Sequence, residues 1–72
     1  MTTLRERLIQ LKNERNLLQK DIAKNINVAL RTYQRYETGE REPSTSILID
    51  LANFFNVSVD YLVGRSDDPT RR

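Results

Sequence analysis

Between Leu17 and Gly39 the chain reads LLQKDIAKNINVALRTYQRYETG, and two short helices joined by a tight reversal are the economical way to bury its apolar residues. In the first half Ile22, Ala23 and Ile26 share one helical face, and Ala23 is small enough to let a second helix approach closely. Asn27 stands where the chain must reverse. Such reversals need a positive φ, which asparagine accepts best after glycine. Val28 follows as a buried plug. From Ala29 to Thr38 the pattern changes: Tyr33 and Tyr36 turn inward, which leaves Leu30, Arg31, Gln34 and Arg35 on the opposite side of a second helix. A polar face carrying two arginines then points at solvent or at a ligand, and spacing alone does not choose between them.

At 72 residues the chain makes one domain with a small core, and a large active-site cavity is not expected. It contains no cysteine and no histidine. That removes disulfides, thiol nucleophiles, the usual zinc sites and the commonest general base. The adjacent carboxylates Asp67 and Asp68 lie in the terminal tail, so an enzyme is discounted. The longest aliphatic run, Ile47 to Ile49, is far short of a membrane span, and no signal-peptide-like segment is present, which leads to the expectation of a cytoplasmic protein. Formal charge is only +2. Its distribution is more telling: residues 1–41 carry nine bases against five acids, and residues 42–72 carry three against five. The half with the paired helices is the basic half, as a phosphate-facing surface requires.

The remaining signals are helix boundaries. Thr3 with Glu6 three residues later predicts a capping box, and Leu4, Leu8 and Leu11 form the stripe of a first helix ending near residues 13–16. Pro43 forbids helical continuation through the polar turn EREPS, and Ser44 caps a fourth helix on which Leu48, Leu51, Ala52 and Phe55 recur up to Asn56, a left-handed terminator. Ser58 caps a last short helix through Val63, with Asp60 in its first turn and Gly64 ending it. No strand alternation or repeat is visible. The expected fold is all-α, a compact five-helix bundle over residues 1–64, with 65–72 as a frayed tail or the start of a linker.

The order of Leu8, Gln19, Ile22, Ala23, Ile26, Val28, Tyr33, Glu37, Gly39, Pro43, Ser44, Leu48, Leu51, Ala52, Val57, Ser58 and Leu62 resembles the lambdoid phage repressor and Cro family, the Xre-like helix-turn-helix proteins. The match spans about residues 4–64. The final VSVDYLVG also looks like the closing helix of small repressors from low-GC Gram-positive bacteria and their mobile elements. The resemblance implies a lambda repressor-like DNA-binding domain whose second paired helix lies in the major groove of double-stranded DNA. Carried over by position, Leu30, Arg31, Gln34 and Arg35 are the base contacts. Arginine can bridge O6 and N7 of guanine, and Leu30 offers only apolar contact, as to a thymine methyl. The resemblance also places Gln19 at phosphate and as a brace for the recognition helix; Lys20, Thr38 and Arg41 are weaker phosphate candidates, because flexible cations near a DNA surface add affinity without sequence information. Lys12 and Glu37 match positions that form an internal salt bridge, usually with arginine at the first. Lysine cannot make the bidentate fork.

Two residues depart from the pattern: Leu18 and Ala29 precede the paired helices where Ser or Thr is common, so neither helix start has a hydroxyl cap. A module of this size reads few base pairs, so a homodimer on a palindromic operator is expected, repressing by occlusion or, if suitably placed, activating by contact with polymerase; the sequence does not choose the sign. Ile47, Phe54, Val59, Tyr61 and Val63, with Ile49, are apolar residues beyond what the core stripe requires, and a subset is expected to form the dimer face. Each is equally consistent with ordinary burial. No cofactor, metal, membrane or small-molecule ligand is expected. Three other readings remain: a DNA-binding antitoxin, a protein-interaction module with the same fold, and an RNA binder. The last lacks stacking platforms if Tyr33 and Tyr36 face inward.

Overall fold

In a computed structural model, residues 2–70 are described. Among them the chain forms five helices and no strand: α1 (Leu4–Glu14), α2 (Gln19–Asn25), α3 (Leu30–Thr38), α4 (Thr45–Phe55) and α5 (Val59–Leu62). Among the described residues no helix is long and apolar enough to cross a membrane. α1 packs against α3 and α5, α2 against α3, and α4 against α5. The core that results is built from Leu8, Leu11, Ile22, Ala23, Ile26, Tyr33, Tyr36, Leu51, Ala52, Phe55, Val57, Tyr61 and Leu62. Leu4, Leu17, Leu48 and Val28 flank it at partial exposure. Val28 is therefore a half-buried wedge, because the exposed Asn27 before it starts the turn at the surface.

The helix starts follow local chemistry. Thr3 Oγ1 accepts from Glu6 N at 3.4 Å while Glu6 Oε1 accepts from Thr3 N at 3.1 Å, closing the capping box. Ser44 and Ser58 cap α4 and α5 by accepting from Ile47 N and Tyr61 N at 3.3 and 3.0 Å. Leu18 and Ala29 have no oxygen to offer, and both stand as uncapped residues in extended conformation. At α2, Asp21 Oδ2 accepts from Leu18 N at 3.2 Å and supplies the half of a box that a leucine permits.

The helix ends share one device. Each of the five helices is followed by a residue at positive φ: Asn16, Asn27, Gly39, Asn56 and Gly64. After α1, α2, α4 and α5 the next N–H returns to a carbonyl five residues earlier, as in Leu17 to Lys12 O at 3.0 Å, Val28 to Ala23 O at 3.0 Å, Val57 to Ala52 O at 3.0 Å and Arg65 to Asp60 O at 2.8 Å. Three of those donors are apolar residues that pack against the core, so each reversal is fixed by backbone and burial together. Gly64 is further constrained, since a Cβ there would collide with the Thr2 carbonyl oxygen.

Arg7 is 4% exposed, and no pattern in the sequence marked it. Its Nε donates to the Tyr61 carbonyl at 2.9 Å, Nη1 to Gln10 Oε1 at 3.0 Å and Nη2 to the Ser66 carbonyl at 3.4 Å, while the guanidinium carbon lies 3.8 Å from the Tyr61 ring centroid. Nη2 is also 3.6 Å from the exposed Asp67 carboxylate. These bonds change two expectations. Tyr61, offered as a dimer-face candidate, is 8% exposed and packs in the core. The segment expected to fray is tethered as far as Pro69, whose carbonyl accepts from Ser58 N at 3.1 Å; Arg71 and Arg72 lie outside the described residues.

Two outcomes are expected. Asn27→Ala lowers stability by about 1 kcal/mol, the cost of a left-handed residue with a Cβ, while Asn27→Gly is nearly neutral, as thermal melting will show. Arg7→Lys, which keeps the charge but loses the fork, costs about 2 kcal/mol and speeds hydrogen exchange at the Ser58 amide.

Candidate functional site

α2 and α3 pack together across the Asn27 turn, and one edge of α3 faces outward. Leu30, Arg31 and Gln34 are exposed along that edge, and Arg35 is half-exposed with Nε 4.0 Å from Glu40 Oε2. Tyr33 and Tyr36, on the opposite side, are buried edge-to-face with ring centroids 6.4 Å apart. The alternation follows from helical spacing: bulky apolar rings at 33 and 36 face the core, so 30, 31, 34 and 35 cannot.

Glu37 also points inward. It is 8% exposed, and a carboxylate removed from water needs donors. Lys12 Nζ reaches its Oε1 from α1 at 3.0 Å, and Gln19 Nε2 reaches the same oxygen from α2 at 3.1 Å. Gln19 Oε1 in turn accepts from Gln34 Nε2 at 3.2 Å. A continuous line of hydrogen bonds thus runs from a half-buried lysine to the exposed edge of α3. The other carboxylate oxygen and the Tyr33 hydroxyl are both sealed from solvent, and neither has a well-aligned hydrogen-bond partner among the described residues. Burial raises the Tyr33 phenol far above its ordinary value of 10.0, and the neighbouring Glu37 carboxylate adds to the rise.

The remaining phosphate candidates are placed differently from one another. Lys20 is exposed in the first turn of α2. Thr38 is exposed, but its hydroxyl donates to the Arg35 carbonyl at 3.1 Å and accepts from Glu40 N at 3.4 Å, which closes the end of α3. Arg41 is exposed, with its backbone N–H bonded to the Arg35 carbonyl at 3.3 Å.

The dimer candidates differ in exposure. Ile47 and Phe54 are half-buried, with Phe54 packed edge-to-face on Phe55 at 5.1 Å. Val63 lines a cleft with Leu4, Pro43 and Leu48. Val59 is 37% exposed and shares a groove with Ile49, at 47% the most exposed apolar side chain of α4. Ile49 and Val59 are the most exposed members of the expected apolar face.

With this geometry in place, kinship is clear. Residues 8–62 match the model of the helix-turn-helix family, and the chain belongs to that family. More narrowly it is an Xre-like member, of the branch that includes phage-type repressors. A transcriptional regulator from Listeria innocua superposes with a TM-score of 0.82 at 42% identity, over 86% of this chain and 58% of that one. The CTXphi transcriptional repressor RstR of Vibrio cholerae serotype O1 is 34% identical over 62 residues, which is 86% of this chain and 55% of RstR. The P22 c2 repressor, in its complex with synthetic operator 9T, superposes with a TM-score of 0.84 at 23% identity over 92% of this chain and 100% of that one, a likeness of fold. The chain spans about half the length of the curated relatives it matches.

The raised Tyr33 phenol has a pH consequence. Folding favours its neutral form, so the stability it contributes is fully present below pH 10.0 and is lost as the pH climbs from there toward the folded value. Alkaline melts should show stability falling above about pH 10 in the native protein and a weaker fall in Tyr33→Phe.

Proposed function

We propose that this chain is a sequence-specific double-stranded DNA-binding transcriptional regulator that represses by occluding a palindromic operator as a homodimer. The observation that carries this reading is the outward edge of α3, where Leu30, Arg31 and Gln34 stand exposed in a row with Arg35 beside them. A helix lying in a major groove meets base edges with such residues, and a guanidinium at Arg31 or Arg35 recognises guanine through two parallel bonds. The Arg35–Glu40 separation of 4.0 Å is a weak surface contact that a phosphate or base can displace. Lys20, Gln19 and Arg41 flank this edge in the reading as backbone contacts, adding affinity without sequence information. The fold shared with an operator-bound repressor is consistent with this placement.

The dimer part of the reading rests on the exposed Ile49 and Val59. A two-fold pairing through them would set two α3 helices to read half-sites about one DNA turn apart.

Binding measured at fixed salt, on duplexes enriched from a random pool, checks both parts. Arg31→Ala or Arg35→Ala is expected to lose base preference at one position per half-site, at a cost of about 1 to 3 kcal/mol. Ile49→Glu with Val59→Glu is expected to keep half-site binding and lose the advantage of an inverted repeat. A folded protein that enriches no duplex would overturn the reading.

A further inference from the structure

The hydrogen-bond line from Lys12 to Gln34 has a direction, and the direction is set at its buried end. Lysine can only donate and an ionised carboxylate can only accept. The atom of Gln19 that meets Glu37 must therefore be its amide nitrogen, 3.1 Å from Oε1. With Nε2 committed to Glu37, Gln19 Oε1 is the atom left for Gln34, and only an N–H can satisfy it. Gln34 Nε2 takes that place at 3.2 Å. Gln34 is thus left with its Oε1 and the other Nε2 hydrogen for whatever lies outside α3.

We propose that Glu37 is a positioning residue for sequence readout: the buried, lysine-paired carboxylate fixes the amide polarity of Gln19 and through it the way Gln34 presents donor and acceptor to a base. The inference rests on the reading of α3 as a base-contacting helix. A free glutamine exchanges its oxygen and nitrogen by rotating about one bond, and so offers two opposite hydrogen-bond patterns to a base edge. The line of bonds removes one of them. Lys12 holds the charge on Glu37 in place at 3.0 Å, and the burial of Glu37 keeps water from supplying competing donors. Glu37→Gln removes the charge that holds Lys12; once Lys12 turns to water, the new amide can donate as well as accept, and Gln19 and Gln34 can each turn over without losing a bond. Base preference then degrades although no residue on the outer edge has changed.

The test is duplex selection from a random pool at one stated salt, with five proteins: the native chain, Gln34→Ala, Glu37→Gln, Gln19→Ala and the Glu37→Gln/Gln34→Ala double variant. Folding of each is followed by circular dichroism. Gln34→Ala identifies the base position that Gln34 faces, as the one whose preference it erases. Glu37→Gln is expected to lower preference at that same position by about twofold to tenfold, the worth of one net hydrogen bond, and to leave the other positions as they were. In the double variant Glu37→Gln adds nothing at that position. If Glu37→Gln fails to fold, Gln19→Ala decides, since it cuts the line at a half-exposed residue and is expected to give the same position-specific loss. Unchanged preference in the folded variants overturns the proposal, as does a loss spread evenly over all positions, or a Gln34→Ala that erases none. A native protein that enriches no duplex fails differently: it removes the DNA-binding reading itself.

Discussion

One buried carboxylate organises this small protein. Glu37 sits on the inner side of α3, and a carboxylate out of water is tolerated only with donors arranged around it. They come from two other helices, Lys12 on α1 and Gln19 on α2. Three helices are thereby tied at one point, and the tie lies directly behind the exposed edge of α3. Apolar packing of Leu8, Ile22 and Tyr33 brings the helices together without specifying their rotation to within a residue. A polar contact that must be met has less freedom. It fixes which side of α3 is inner, and therefore which side chains stand outside.

The second constraint is chain reversal. None of the five helices exceeds eleven residues, and helices so short are marginal on their own. They persist because their faces are buried and because each end is closed. Every closure uses a left-handed residue, and three of the five are asparagines rather than glycines. Asparagine tolerates the conformation while giving the unfolded chain less freedom than glycine would. Arg7 does the same work at the far side of the bundle by side-chain bonding, joining α1 to the Tyr61 carbonyl and to the segment beyond α5.

Much of the fold was legible because its determinants are local. Thr3 with Glu6, Asn27, Pro43 with Ser44, Asn56 and Ser58 each act within a few residues of themselves, and their chemistry can be read without knowing what packs where. Asn16 uses the same device but is embedded in a polar stretch with no apolar pattern to mark the end of α1. Arg7 was not legible, since a charged side chain becomes buried only when tertiary partners surround it, and its main acceptor is a backbone carbonyl 54 positions away. Tyr61 was left open between core and dimer face for a related reason: α5 has four residues, too few for periodicity to tell its inner face from its outer one. On the candidate site, spacing alone put Leu30, Arg31, Gln34 and Arg35 on a shared outer face. The joining of Lys12, Gln19, Gln34 and Glu37 spans three helices; family resemblance indicated the Lys12–Glu37 pair and Gln19 as a brace, and only the folded chain gives the line its order and direction.

The most direct measurement of the central claim maps where DNA touches the folded protein. Isotope-labelled protein titrated with an enriched duplex, followed by backbone and side-chain amide shifts, should respond first along Leu30, Arg31, Gln34 and Arg35 and at the start of α2, including the Gln19 and Gln34 side-chain amides. Shifts confined to the Ile49 and Val59 groove or to the segment after Gly64, with α3 silent, would contradict the account.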